Sequence, residues 1–168
     1  NALLLEALKL SAAGEISKSQ DMRAAALEEA PATAGSINGK EFDWIADADA
    51  RIGPNLEAII NGRYFWVPFH HIAEIRIEEP EDLRELVWVM AELRWQNGGE
   101  AVALLPTRYS GSESSGDPQL QLARRTEWRD QGDDLYVGLG QRTLITDQDE
   151  CSLLEVRNIT LAATDSDG

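Results

Sequence analysis

A chain of 168 residues with 43% hydrophobic side chains can bury a core of ordinary domain size without disulfide or metal staples. Thirty acidic against fifteen basic residues give a formal charge of −15, which repels phosphate backbones and anionic lipid headgroups and argues against nucleic acid and membrane insertion. The single Cys151 excludes an internal disulfide framework, no run approaches the ~20 apolar residues of a spanning helix, and no basic-then-apolar signal opens the chain, so a soluble cytoplasmic protein is expected.

Leu3, Leu4, Leu5, Ala7, Leu8 and Leu10 crowd a helical stripe that ends at Gly14, and a second helical pattern runs from Ser17 through Met22, Ala25, Ala26 and Leu27 to Ala30-Pro31. The result is an αα-hairpin. The spacing of Gly14, Ile16, Ser19, Ala26 and Pro31 looks like the latter part of a TPR unit, and equally suits a helical pair packed on the following domain. Small and polar residues from Pro31 to Lys40 read as a connector, with a boundary near residue 35. That divides the chain into a helical element, 1–34, and an α+β domain, 35–168.

Beyond the connector the period becomes strand-like. Asn61-Gly62 suits a two-residue type I′ turn, because both positions need φ > 0, and β-prone runs flank it at Leu56 to Ile60 and Arg63 to Val67. Further strands are predicted at Ile72 to Ile77, Leu86 to Trp95, Glu100 to Leu105, Thr126 to Arg129, Arg142 to Ile145 and Leu153 to Leu161. Asn97-Gly98-Gly99 joins the second and third of these as another hairpin. Pro80-Glu81-Asp82-Leu83 reads as a short helical start, and Ser110 to Pro118 as a mobile surface loop with nothing to bury. The fold class is α+β: an N-terminal TPR-like helical hairpin, then a mostly antiparallel twisted sheet or small partly open barrel. Strands without long intervening helices argue against a doubly wound sheet.

Asp43, Asp47 and Asp49 precede Gly53 and Glu57 and invite a calcium reading, but the EF-hand register fails, with Arg51, Ile52 and Ala58 at three required positions. The favoured reading is a structural loop whose carboxylates cap backbone N–H groups or pair with Arg51. His70 and His71 are the only histidines, and adjacent residues of an extended segment face opposite ways. No serine sits in a nucleophile elbow. Gly111 to Asp117 has the glycine spacing of a phosphate loop but Asp in place of the lysine, and Gly138-Leu139-Gly140 reads as a tight turn rather than a dinucleotide fingerprint. No cofactor or metal is expected.

Trp44, Tyr64, Phe65, Trp66, Trp88, Trp95, Tyr109 and Trp128 are anchors of the kind found in binding hot spots, though alternation places about half of such rings in the core. Tyr64 and Trp66 share one strand face, while Arg63, Phe65 and Val67 share the other. Arg124, Arg125 and Arg129 are read as pairing with nearby acids. The acidic groups at Glu78 to Asp82, Asp147 to Glu150 and Asp165 to Asp167 are read as solvated surface and tail.

Residues 42–69 join an acidic loop, the Arg-Ile-Gly-Pro of 51–54 and the aromatic hairpin in one run. With Asn-Gly-Gly-Glu-Ala-Val at 97–102, Leu-Pro-Thr-Arg-Tyr at 105–109, Arg-Thr-Glu-Trp at 125–128 and Gly-Leu-Gly-Gln-Arg at 138–142, the sequence resembles the ImpE/SciE/TagJ family of type VI secretion accessory proteins from Leu3 to Leu161. The resemblance implies a non-enzymatic adaptor that binds an N-terminal helix of the small, TssB-like sheath subunit, with a ClpV-type ATPase as an indirect partner. Members usually carry a longer helical N-terminal region than this chain shows. On that reading Leu4, Leu8, Ile16, Met22 and Leu27 line a groove, with Trp44, Tyr64 and Trp66 facing the partner. Two alternatives stay open: a metal-assisted or acid-base hydrolase built on the Asp43, Asp47 and Asp49 loop, and a homo-oligomeric scaffold.

Overall fold

The computed structural model describes residues 2–82, 84–132 and 136–163. Two helices open it, α1 (Ala2–Ala12) and α2 (Ile16–Glu29), turning at Gly14. Ser19 Oγ on α2 donates to the Ala7 carbonyl at 2.7 Å, a contact that the small Ala7, fully buried, makes room for.

Thirteen strands follow among the described residues: β1 (Gly35–Ile37), β2 (Lys40–Phe42), β3 (Ile45–Asp47), β4 (Asn55–Ile60), β5 (Arg63–Pro68), β6 (Ile72–Ile77), β7 (Trp88–Trp95), β8 (Glu100–Pro106), β9 (Thr126–Asp130), β10 (Tyr136–Gly140), β11 (Thr143–Thr146), β12 (Glu150–Ser152) and β13 (Asn158–Leu161). A short helix, α3 (Pro118–Gln121), precedes β9. Eight strands form one sheet in the order β2-β1-β13-β6-β7-β8-β4-β5, three form β12-β11-β3, and β10 pairs with β9. All these pairs are antiparallel. The large sheet runs from β2 to β5 without closing, so the architecture is α+β with an open sheet rather than a barrel.

Period-two alternation decides what the sheet buries. Along β7, Val89, Ala91 and Leu93 face inward at 1% exposure while Trp88, Met90, Glu92 and Arg94 face out. Leu56, Phe69, Ile72, Ile75, Leu105 and Ile159 complete the centre of the core, each contributing about 1.5–3 kcal/mol by burial. The β4–β5 hairpin turns at Asn61 and Gly62, with φ of 52° and 74°, as the turn chemistry requires.

Several local expectations are corrected. Residues after Pro80 form no helix: Glu85 accepts the N–H groups of Glu81 and Asp82, and Asp82 accepts those of Arg84 and Glu85, a side-chain-bonded turn (Leu83 lies outside the described residues). Ser110 to Pro118 is anchored rather than wholly superficial. Ser112 is fully buried, donating to Tyr109 O at 2.6 Å and accepting from Gly140 N at 2.8 Å, and Asp117 caps α3 by accepting from Gln119 N at 2.9 Å. Gly138-Leu139-Gly140 is strand, not turn. The stretch from Leu153 begins as a 3-10 turn, Leu153–Glu155, before β13. The acidic tail Asp165 to Asp167 lies outside the described residues.

Candidate functional site

The loop between β3 and β4 is built by two buried aspartates. Asp47 Oδ1 accepts the Asp49 N–H at 2.9 Å and the Tyr109 hydroxyl at 2.8 Å. Asp49 accepts the Arg51 backbone N–H at 2.9 Å, grips the Arg51 guanidinium, and reaches the Gly138 N–H on β10 at 3.0 Å. These carboxylates are therefore brackets that hold backbone in place, as the sequence reading favoured. Asp43 stands exposed, with its N–H on Asp147 Oδ1. Among the described residues no group of three His, Cys, Asp or Glu side chains is placed to hold a metal ion.

Arg142, just ahead of β11, is the centre of the assembly. Its side chain is 2% exposed; Nη1 donates to Asp47 at 2.7 Å, Nη2 to Glu57, and Nε to Pro106 O at 3.0 Å, while the guanidinium lies 4.9 Å from the Tyr109 ring centroid. A buried guanidinium without such partners is strongly unfavourable, so the four contacts are the condition for its burial. Burial lowers the Arg142 pKa, but the charges of Asp47 and Glu57 outweigh it and the net shift is upward. Burial also pushes Asp47 above its usual value, against the opposing pull of Arg142.

The network surfaces at β5. Tyr64 donates its hydroxyl to Glu57, and Trp66 Nε1–H donates to the Tyr64 oxygen at 2.7 Å. Burial, then Glu57 for Tyr64 and Asp47 for Tyr109, raise both phenols well above their ordinary range. They stay protonated at neutral pH and act as fixed donors. The arrangement positions an aromatic pair; Tyr64 is 56% exposed on the outward face, and on the other face Val67 is buried opposite Leu56 while Phe65, opposite Ala58, stays 42% exposed.

Of the other candidate residues, Leu4, Leu8, Ile16, Met22 and Leu27 lie on the helical pair, whereas Trp44 stands apart from them between β2 and β3, its backbone N 3.4 Å from Asp147 Oδ1. Leu4 is buried and lines a groove of about 350 Å³ between the helices and Pro54, Asn55, Pro68 and His70. Leu8, Ile16 and Met22 are half-buried, Leu27 is exposed beside Gly53, and Trp44 is exposed. Trp66 lines a second cleft of about 820 Å³ with Phe65, His71 and Trp95, and His70 borders both. The histidines occupy a 3-10 turn, Phe69–His71, rather than an extended segment, so their rings meet edge-on at 4.4 Å instead of facing opposite ways. Arg125 pairs with Asp117 and Glu127, and Arg129 with Glu127.

Sequence reasoning named Glu57 only in the failed calcium pattern and Tyr109 only among the aromatic anchors, and did not single out Arg142 or its link to them. The signal was positional: Arg142 ends the Gly-Leu-Gly-Gln-Arg motif, Tyr109 ends Leu-Pro-Thr-Arg-Tyr, and four of the quoted motifs converge here. Gly138 shows why its motif needs glycine, since a Cβ there would stand 2.5 Å from the Tyr109 ring.

Residues 39–160 match the ImpE protein family. Over 165 residues, 98% of the chain, the sequence is 45% identical to a Pseudomonas aeruginosa protein named type VI secretion system accessory component TagJ, and it spans 57% of that protein's length. The fold is similar to a crystal structure of a Vibrio parahaemolyticus protein, with a TM-score of 0.88 and 23% identity, covering 96% of this chain and 60% of that one.

Proposed function

Because the chain belongs to the ImpE family, we propose that it is a non-enzymatic adaptor of a bacterial type VI secretion system that binds an N-terminal helix of the small, TssB-like sheath subunit. The observation that carries an accessory role is the 45% identity, across nearly the whole chain, to a type VI secretion accessory component. Recognition of the sheath helix is the finer part of the reading. It is supported by an apolar groove beside Leu4 and by the outward placement of Tyr64 and Trp66 next to a cleft that shares His70 with that groove. Leu8, Ile16, Met22, Leu27 and Trp44 extend the contact surface on this account. Residues 1–34 act as the helical unit and 35–168 as the domain on which it rests, the protein works in the cytoplasm, and any link to the ClpV-type ATPase runs through the sheath.

The test is a calorimetric titration of the N-terminal peptide of the cognate small sheath subunit into this chain and into a form extended to the relatives' full length. Saturable binding is expected. Absence of heat with both forms at high protein concentration overturns the reading.

A further inference from the structure

Five large apolar side chains stand exposed on the outward face of the eight-stranded sheet. Met90 on β7 lies opposite Leu104 on β8, Leu104 opposite Ile59 on β4, and Ile59 opposite Tyr64 on β5, so these positions form one row across four strands. Trp88 and Val102 flank the row on the same face, two residues along their strands. Exposures are 41% for Trp88, 58% for Met90, 58% for Val102, 40% for Leu104 and 56% for Tyr64. The core face of the same strands is apolar too, with Val89, Ala91, Leu93, Ala103 and Leu105 buried. An antiparallel sheet with one solvated face normally alternates apolar with polar, and a contiguous apolar patch on a monomer marks a site of interaction.

Charge and geometry select the occupant. At the Trp88 end, β7 emerges from a segment carrying Glu78, Glu79, Glu81, Asp82 and Glu85 against Arg84 alone. At the other end Glu74, Glu92 and Glu100 stand against Arg76 and Arg94, with Glu74 paired to Arg76 at 3.1 Å and to Arg94 at 2.9 Å and Arg76 to Glu92 at 3.9 Å, so that border is more nearly balanced than residues 78–85. A second copy of this chain, itself at −15, is repelled, whereas a cationic partner is attracted and oriented with its charge toward residues 78–85. The patch lies on the face of the sheet and only its last strand, β5, is an edge, so a partner lying across all four strands is offered no backbone groups by β7, β8 and β4 and must satisfy its own there. A helix does so. Four strands about 4.8 Å apart span about 14 Å, comparable to the roughly 16 Å covered by the i, i+3 or i+4, i+7 and i+11 stripe of a helix rising about 1.5 Å per residue.

We propose that the outward face of β7, β8, β4 and β5 docks a lysine- or arginine-rich amphipathic helix, its apolar stripe over Met90, Leu104, Ile59 and Tyr64 and its basic flank toward residues 78–85. The row shares Tyr64 with the surface proposed for the sheath helix, but the inference rests on Met90, Val102 and Leu104, which that reading does not use.

The probe is a designed amphipathic peptide of about five helical turns, with leucines at that spacing and lysines on one flank. Two controls replace the lysines by glutamates or scramble the order. Fluorescence anisotropy against the full chain reads binding. The lysine peptide is expected to saturate and to bind about tenfold or more tighter than either control. Met90→Glu and Val102→Glu, at exposed positions and with melting temperatures checked against wild type, each weaken it by about tenfold, while Leu5→Glu on α1 leaves it unchanged. No saturation, equal binding of the scrambled peptide, or unchanged binding by both glutamate variants overturns the proposal. A wild-type dimer that Met90→Glu makes monomeric assigns the face to a second copy and overturns it as well.

Discussion

Replacing Arg142 with methionine keeps the bulk of its side chain and removes the guanidinium that joins Asp47, Glu57 and Pro106 O. Asp47 and Glu57 then lose their direct ion pair, with Arg51, held by Asp49, the cation left near Asp47. The expected loss is about 3–5 kcal/mol, read from the urea midpoint, and a loss under about 1 kcal/mol contradicts the assigned role. His70 gives a pH signature. Burial, then the charge of His71, hold its imidazole below the ordinary 6.5, so the unfolded chain takes up that proton first as pH falls. Stability is therefore present above about pH 6.5 and lost below it. Thermal melts at about pH 7.5 and about pH 5.5 should show a smaller drop for His70→Gln than for wild type; equal drops contradict the assignment. At this scale the Asp47 and Asp49 brackets were legible because their partners Asp49 and Arg51 lie two residues away. The Arg142 pairs were not, since they cross 95 and 85 residues of sequence and local pattern carries no trace of them.

Among the elements, Gly62 and Gly140 show two different uses of glycine in β-structure. Gly62 turns the β4–β5 hairpin at φ 74° with open space where a Cβ would stand, so Gly62→Ala costs only the conformational strain, about 1 kcal/mol. Gly140 has φ 86° and lies against backbone, with a Cβ only 2.0 Å from Arg125 O, so Gly140→Ala adds a clash and costs about 2–4 kcal/mol. Denaturation of the two variants side by side checks the ordering, and equal losses would contradict it. The hairpins at Asn61-Gly62 and Asn97-Gly98 were readable because turn chemistry is local. The anchoring of residues 110–118 was not, because Ser112 is held by Tyr109 and Gly140, which only the folded chain brings to it. Nor was β10 readable as strand: Gly138-Leu139-Gly140 has turn composition, and the glycines serve close approach of the Tyr109 ring and of Arg125 instead.

For the molecule as a whole, a charge of −15 accompanies a polar network centred on buried Arg142 and Asp47 and aromatic side chains such as Tyr64 and Trp88 turned outward. The α+β class and a mostly antiparallel sheet followed from strand spacing and turn residues, whereas the choice of an open sheet over a small barrel, and the strand order with β13 inserted between β1 and β6, depend on long-range pairing. The most direct test of the adaptor account mixes this protein with the intact small sheath subunit, and with one lacking its N-terminal helix, and measures complex mass by light scattering after gel filtration. The account predicts a complex with the intact subunit and none with the shortened one. Separate elution of this protein from the intact subunit, or equal association with both, would contradict it.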